Sequence, residues 1–363
     1  MKTKQTPRLS LLIKKAVYFS CFLCIFSAAA LQFSGCGDDT VSSNFNIDMP
    51  RFNWKTVSLN AENFNCIWAR DTANIYLMSN VGNKLFKLTN GYLTNYNIGN
   101  HFIKQLSGNA NNVVIFALDE SGEMKFVIWN GAAQEVRTGI YIPDTLGNYF
   151  TGCATDDMGY WIASQSGIAS YNGGVTTRYY VNDNMFVPKQ IFKSQQNTIR
   201  ITGESRNTQK IYELQDTAFV QIFENTGNYY LKVLRNEAYG YFFNENMPGP
   251  CFYNLSGNSY VENFCINTNI PISFGNNLTG TAFSDLFFYV YSHALFNELS
   301  SMGILHWDGY KFSREFEFEV EQPGIGNSAT DLYSIDENNL IILDGQFPRM
   351  KLYVGTKKLK AQP

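Results

Sequence analysis

The chain offers three imidazoles for acid–base or metal chemistry, His101, His293 and His306. None stands in an HExxH pattern, and there is no P-loop, GxSxG elbow or GxGxxG between a strand and a helix. His306, beside Trp307 and before an Asp-Gly turn, reads as a packed strand residue, and His101 as a solvated one. From residue 36 onward no CxxC and no Cys/His cluster with zinc spacing occurs, so no metal or other cofactor is called for. Cys251 and Cys265 are close enough in sequence to form a disulfide. A three-residue loop centred on Asn258 would set them opposite each other, about 4.5–5.5 Å apart at Cα. A two-residue loop would shift the register and aim them at different faces. Cys66 and Cys153 read as small buried hydrophobes. The run Glu315, Glu317, Glu319, Glu321 alternates with Phe316, Phe318 and Val320. Period two predicts a strand with its aromatics inward and its acids in water, where they oppose sheet-to-sheet pairing.

What remains is neutral hydrogen bonding. His293, Asn297 and Glu298 fall in one long stretch, 292–302, which also carries Leu295, Phe296 and Leu299. Asn276 and Asn277 fall in another, 266–280. Amides and an imidazole on long loops suit glycan hydroxyls or a peptide backbone, and long loops on a rigid scaffold are where binding resides. These five residues are the candidate ligand-binding set.

The scaffold is legible from composition and repetition. Charged residues make up 16% of 363 and hydrophobic ones 45%, which excludes a disordered chain. There are 29 Phe, 22 Tyr, 28 Gly and 39 Asn, a mixture of strand and turn formers. Seven short apolar segments begin at Asn74, Asn112, Gly159, Asn197, Tyr239, Leu286 and Asn339, with a period near 44 residues. Tight-turn signals follow most of them by one strand length: Asn90-Gly91, Asn130-Gly131, Asn172-Gly173, Gln215-Asp216, Ser256-Gly257, Asp308-Gly309 and, in the last copy, Gly355. Seven such units predict an all-β fold, a seven-bladed β-propeller spanning 51–363. The last unit ends too soon, while residues 51–59 form an outer strand without a blade. The N-terminal outer strand is therefore expected to close the ring by completing blade seven. Trp68, Trp129, Trp161 and Trp307 recur in blade strands and read as interblade packing.

One blade carries a family likeness. Ala154 to Gly173, with Asp156-Asp157, Gly159, Trp161, Gly167 and Tyr171, resembles the repeat of two-component-regulator propellers. Residues 66–97 and 329–355 match it loosely. The resemblance implies the propeller fold and turn-capping roles for Asp156, Asp157 and Asp344. It implies no kinase partner, because fold does not settle function.

The first 35 residues resemble the signal peptide of a bacterial lipoprotein. Lys2, Lys4, Arg8, Lys14 and Lys15 precede an apolar run from Ala16 to Phe33, and then comes Ser34-Gly35-Cys36. Phe33 stands where that pattern usually has Leu. The resemblance implies cleavage before a lipidated Cys36, with 36–50 as a tether. Losing those five cations leaves 23 basic against 31 acidic residues, a net of about −8, which disfavours nucleic acid as a partner. Asp38-Asp39 is similar to a surface-export signal of Bacteroidetes lipoproteins, and the choice between periplasmic and surface exposure stays open. The expectation is a lipid-anchored protein of the bacterial cell envelope, at the outer membrane, whose propeller binds or scaffolds a protein, peptide or glycan without catalysis. The alternative is an envelope hydrolase or lyase acting on glycan or peptide at the channel mouth.

Overall fold

Short β-branched and aromatic runs punctuated by Asn, Asp and Gly leave no segment long enough for a helix, and among the described residues none forms. The computed structural model describes residues 41–42, 51–59, 64–79, 84–99, 102–142, 149–226, 230–234, 237–243, 250–256, 259–267, 273–282, 285–291, 302–309, 311–318, 329–345 and 350–358. The chain divides into two compact units, Met1–Val41 and Ser42–Pro363, and the description below is of the second.

Among the described residues its strands form seven antiparallel sheets. Blade one is β3 (Phe64–Asp71), β4 (Asn74–Ser79), β5 (Lys84–Thr89) and β6 (Tyr92–Asn97). Blade two is β7 (Phe102–Gly108), β8 (Val113–Leu118), β9 (Glu123–Trp129) and β10 (Ala133–Tyr141). Blade three is β11 (Phe150–Ala154), β12 (Tyr160–Ser164), β13 (Gly167–Asn172) and β14 (Val175–Tyr179). Blade four is β15 (Val187–Lys193), β16 (Ile199–Ser205), β17 (Thr208–Gln215) and β18 (Ala218–Asn225). Blade five is β19 (Tyr230–Leu234), β20 (Glu237–Phe243), β21 (Pro250–Ser256) and β22 (Ser259–Asn267); the two-residue strand β1 is Val41–Ser42. Blade six is β23 (Ser273–Ala282), β24 (Asp285–Tyr291), β25 (Met302–Trp307) and β26 (Phe312–Glu317). Blade seven is β27 (Ala329–Asp336), β28 (Asn339–Asp344), β29 (Met350–Lys357) and, returning from the N-terminus, β2 (Phe52–Leu59). All seven apolar segments singled out in the sequence are second strands.

The first strands face the axis. They touch in sequence around the ring, β3 with β7, β7 with β11, β11 with β15, β19 with β23, β23 with β27, and β27 with β3. Blades four and five are joined where Gln190 accepts a hydrogen bond from the Val233 backbone N–H at 3.0 Å. Gln105 does the same for Gly152 N–H, between blades two and three, at 2.9 Å. Both glutamines follow a lysine, Lys104 or Lys189, at which the strand bulges. A bulge re-aims the next side chain, and here it turns an amide onto the neighbouring blade's backbone. The apolar clusters likewise straddle blades. One joins blades seven and one through Leu343, Leu352, Ile75 and Leu77, and another joins six and seven through Phe287, Ile304, Leu340 and Phe52.

Ring closure is as the sequence predicts. β2 pairs with β29 without interruption from Phe52↔Lys357 to Leu59↔Met350. One marker was misplaced: Gly355 lies inside β29 rather than in a turn. It stands opposite Trp54, and a Cβ there would meet Trp54 Cζ3 at 2.7 Å. The glycine makes room for the indole of the closing strand.

Two further expectations are corrected by long-range packing. Glu315 is not in water; it is buried, accepts from Arg51 Nε at 2.9 Å and from Ser313 Oγ at 2.8 Å. Asp156 reaches between blades, and Asp157 does so besides accepting from the Met158 backbone N–H in its own turn. Asp156 accepts from Ala110 N–H at 2.9 Å, and Asp157 pairs with Lys193 at 2.6 Å. Trp68, Trp129 and Trp161 do pack at blade junctions, and Trp307 is buried with Phe312 as one of its neighbours.

Candidate functional site

In this ring the turns between second and third strands, and the connections between blades, open on one face, called here the upper face. Four of the exposed large apolar residues lie there within three consecutive blades. Tyr141 ends β10, Tyr149 precedes β11, Tyr180 follows β14 and Met185 precedes β15. Their exposures run from 45% for Met185 to 65% for Tyr180, a cost that a rigid surface has no folding reason to carry. The Lys189 ammonium, from the bulge of β15, lies 5.7 Å from the Tyr149 ring centroid.

Between blades three and four this face is indented by a cavity of about 250 Å³. Its walls are the β12–β13 turn, with Ser164, Gln165 and Gly167, and the connection 180–186, with Phe186 buried beneath. Gly167 has φ +149°, and a Cβ there would come within 3.3 Å of both Ile140 and Tyr180. The glycine thus lets the Tyr180 ring close against the end of β10. Gln165 Nε2 donates to the Asn184 carbonyl at 3.0 Å, tying turn to connection.

Asp183 fixes the connection from within. It accepts from Lys210 Nζ at 2.8 Å, Ser205 Oγ at 3.1 Å and Met185 N–H at 3.0 Å. Burial pushes its pKa up, but these hydrogen bonds and the Lys210 charge outweigh it and hold the carboxyl below its ordinary value. The bond to Asp183 in turn raises Lys210. The cleft is therefore preorganised, which lowers the entropy lost on binding. Its volume lies below the ~300–1,000 Å³ of a drug-sized pocket and suits one inserted side chain.

The axial channel holds charge. Lys232 on β19 and Asp331 on β27 come from blades two apart. Burial lowers Lys232 despite the attraction of Asp331, and burial raises Asp331 despite a hydrogen bond from Leu332 N–H and the pull of Lys232. Burial also raises Tyr333 to about 12 and the Cys153 thiol on β11 to about 12. Among the described residues no group of His, Cys, Asp and Glu could hold a metal ion.

His306 is a packed strand residue, as the sequence implied. It is buried, with Nε2 2.8 Å from Asp285 Oδ1 and 3.2 Å from Arg51 Nη2. With Glu315 these groups join blade six to the residue that leads into β2. The arrangement secures ring closure rather than presenting an imidazole to a ligand.

Of the candidate ligand-binding set, His293, Asn297 and Glu298 lie outside the described residues, as do His101 and Cys36. Asn276 and Asn277 are not in a long connection. They fall within β23, at an irregularity between Phe274 and Leu278, and only 268–272 separate β22 from β23. Cys251 is disulfide-bonded, and the ladder sets it opposite Cys265. The route differs from the expected three-residue loop. Ser256 pairs with Ser259 across a two-residue turn, and a register shift between Tyr253 and Phe252 restores the alignment of the two cysteines. Cys66 is buried and Cys153 half-buried. The upper-face cleft had one sequence signal that was not used: Tyr180, Met185 and Phe186 crowd a short connection between strands.

No family model and no curated protein matches this chain. Solved structures do. A catalytically inactive virginiamycin B lyase from Staphylococcus aureus with quinupristin has a TM-score of 0.56 at 12% identity, over 85% of this chain and 100% of that one. YCF48 bound to D1 peptide has 0.57 at 12%, over 87% and 100%. The WD40 β-propeller domain of Doa1 has 0.52 at 10%, over 84% and 98%. At such identities the likeness shows the fold alone, and the chain is a β-propeller.

Proposed function

We propose that this chain is a lipid-anchored envelope protein whose propeller binds an extended peptide segment of a partner protein on its upper face. The observation that carries the reading is the preorganised cleft between blades three and four, walled by Tyr180, with Tyr141, Tyr149 and Met185 exposed on the same face. Tyrosine and methionine are enriched at interfaces, where rigid amphipathic rings bury area at low entropic cost. The cleft takes one anchoring side chain, while Gln165 and Asn182 offer amides to a peptide backbone. That a propeller of similar fold is bound to a peptide, in YCF48, is consistent with this use. A library of random peptides panned on the propeller is expected to yield binders. Tyr180→Ser with Met185→Ser should weaken them at least about tenfold, the loss of one well-packed anchor. Enriched peptides that bind the double variant as well as the parent would overturn the reading.

A second reading, hydrolysis or lysis of glycan or peptide in the channel, is favoured by the shifted Lys232 and Asp331, since perturbed groups cluster at catalytic sites. The peptide reading stands ahead of it because burial alone accounts for both shifts, and the two groups come from blades that do not adjoin.

A further inference from the structure

The opposite, lower face carries a second recess, of about 300 Å³, between blades two and three. It is lined by the β7–β8 and β11–β12 turns and the outer hairpin turns of both blades. The two inner walls are locked together: Asn109 Nδ2 donates to the Thr155 carbonyl at 3.2 Å, and Ala110 N–H to Asp156 at 2.9 Å. At its base Tyr160 is more than nine-tenths buried. Its hydroxyl oxygen accepts from Asn112 Nδ2 at 2.7 Å, and among the described residues its own proton has no acceptor. Tyr171 stacks beside Tyr160 with centroids 6.3 Å apart and planes 23° apart. Around the rim Asn111, Asn130 and Asn172 are exposed, and no side-chain hydrogen bond occupies their amides among the described residues.

We infer that this recess binds a neutral sugar unit. An amide both donates and accepts, as a sugar hydroxyl does, so a ring of amides matches vicinal hydroxyls without a charge to neutralise. A buried hydroxyl with an unused proton supplies a fixed donor at the floor, and leaving it unmatched is costly. Tyrosine rings supply the apolar surface on which the C–H face of a pyranose lies. The carboxylate of Asp156 has one oxygen engaged by Ala110, and its negative charge disfavours an anionic ligand. The recess is on the face opposite the proposed peptide cleft, so the two sites are separable.

Saturation-transfer difference NMR with the methyl glycosides of glucose, galactose, mannose and N-acetylglucosamine tests it on the full chain. At least one should bind with a Kd of the order of 1 mM, about 4 kcal/mol. Tyr160→Phe removes only the hydroxyl, and Asn130→Ala with Asn172→Ala alters only exposed amides, so folding is preserved. Each variant should weaken that glycoside about tenfold, the effect of one or two lost hydrogen bonds. Tyr180→Ser with Met185→Ser should leave it unchanged. Absence of transfer from all four probes at tens of millimolar, or parental affinity in both lower-face variants, would overturn the inference.

Discussion

Asp331 shows how a single side chain can set a stability cost in a channel. Its carboxyl is partly buried, accepts one backbone hydrogen bond from Leu332, and has Lys232 as its nearby cation. Burial wins, and the folded pKa lies above the ordinary 3.8. The fold therefore favours the protonated acid. That advantage is fully present below about pH 3.8 and is lost as the pH rises through the folded value. Asp331→Asn keeps the acceptor oxygen and removes the charge. It should raise the melting temperature at pH 7, and the gain should vanish on titration below pH 3.8. An equal effect at both pH values, or destabilisation at pH 7, would refute this account. Glu315 is the contrasting case. Local alternation assigned it to water, because its Arg51 partner lies 264 residues away and no window of sequence contains both. A buried carboxylate is tolerable only when paired, so its surroundings were legible in principle but its partner was not.

At the scale of strands and turns, the repeat is physical before it is literal. Where first strand turns into second, Asp71 accepts from the N–H groups of Ala73 and Asn74, Asn109 from those of Asn111 and Asn112, Thr155 from Met158, Ser194 from Thr198 and Asp336 from Asn338. Asp, Asn, Thr and Ser all cap such a turn, so the blades keep the geometry while the letters diverge. This is why the apolar second strands and the Asn-Gly turns were readable, with Asn90 at φ 53° and Gly91 at φ 87°, whereas the full blade motif matched well only once. The Cys251–Cys265 alignment was legible as an outcome but not as a route, since turn length and bulge compensate each other. The closing strand is the element with most at stake. β2 contributes buried Phe52 and Leu59, each worth about 1.5–3 kcal/mol, and covers an edge of β29 that would otherwise be open. Deleting 37–59 should lower the melting temperature by on the order of 10 °C, while deleting 37–48, which among the described residues removes the two-residue β1, should move it by about 2 °C or less. Equal melting temperatures for the two truncations, measured by scanning calorimetry, would show that β2 does not close the ring.

For the molecule as a whole, a ring stapled by its own N-terminal strand has a mechanical consequence. Arg51 and β2 are held by Glu315, by the unbroken ladder with β29 and by the Trp54 indole donating to the Glu315 carbonyl. A load on β2 would thus fall on blade seven and its junction with blade six. The sites proposed here lie on blades two to four, away from that strand. Among the described residues no helix is long and apolar enough to cross a membrane, and the acidic body repels anionic headgroups. Attachment, if it follows the Ser34-Gly35-Cys36 junction, would rest on acyl chains, and a stable anchor needs two or more of them. Cys36→Ala, expressed in a bacterial host that lipidates such junctions, should move the protein from the membrane pellet to the supernatant, or leave it at the mass of the unprocessed chain, with the fold and its melting temperature intact. Unchanged partition into the membrane together with an unchanged N-terminal mass would mean that Cys36 is neither the cleavage site nor the anchor.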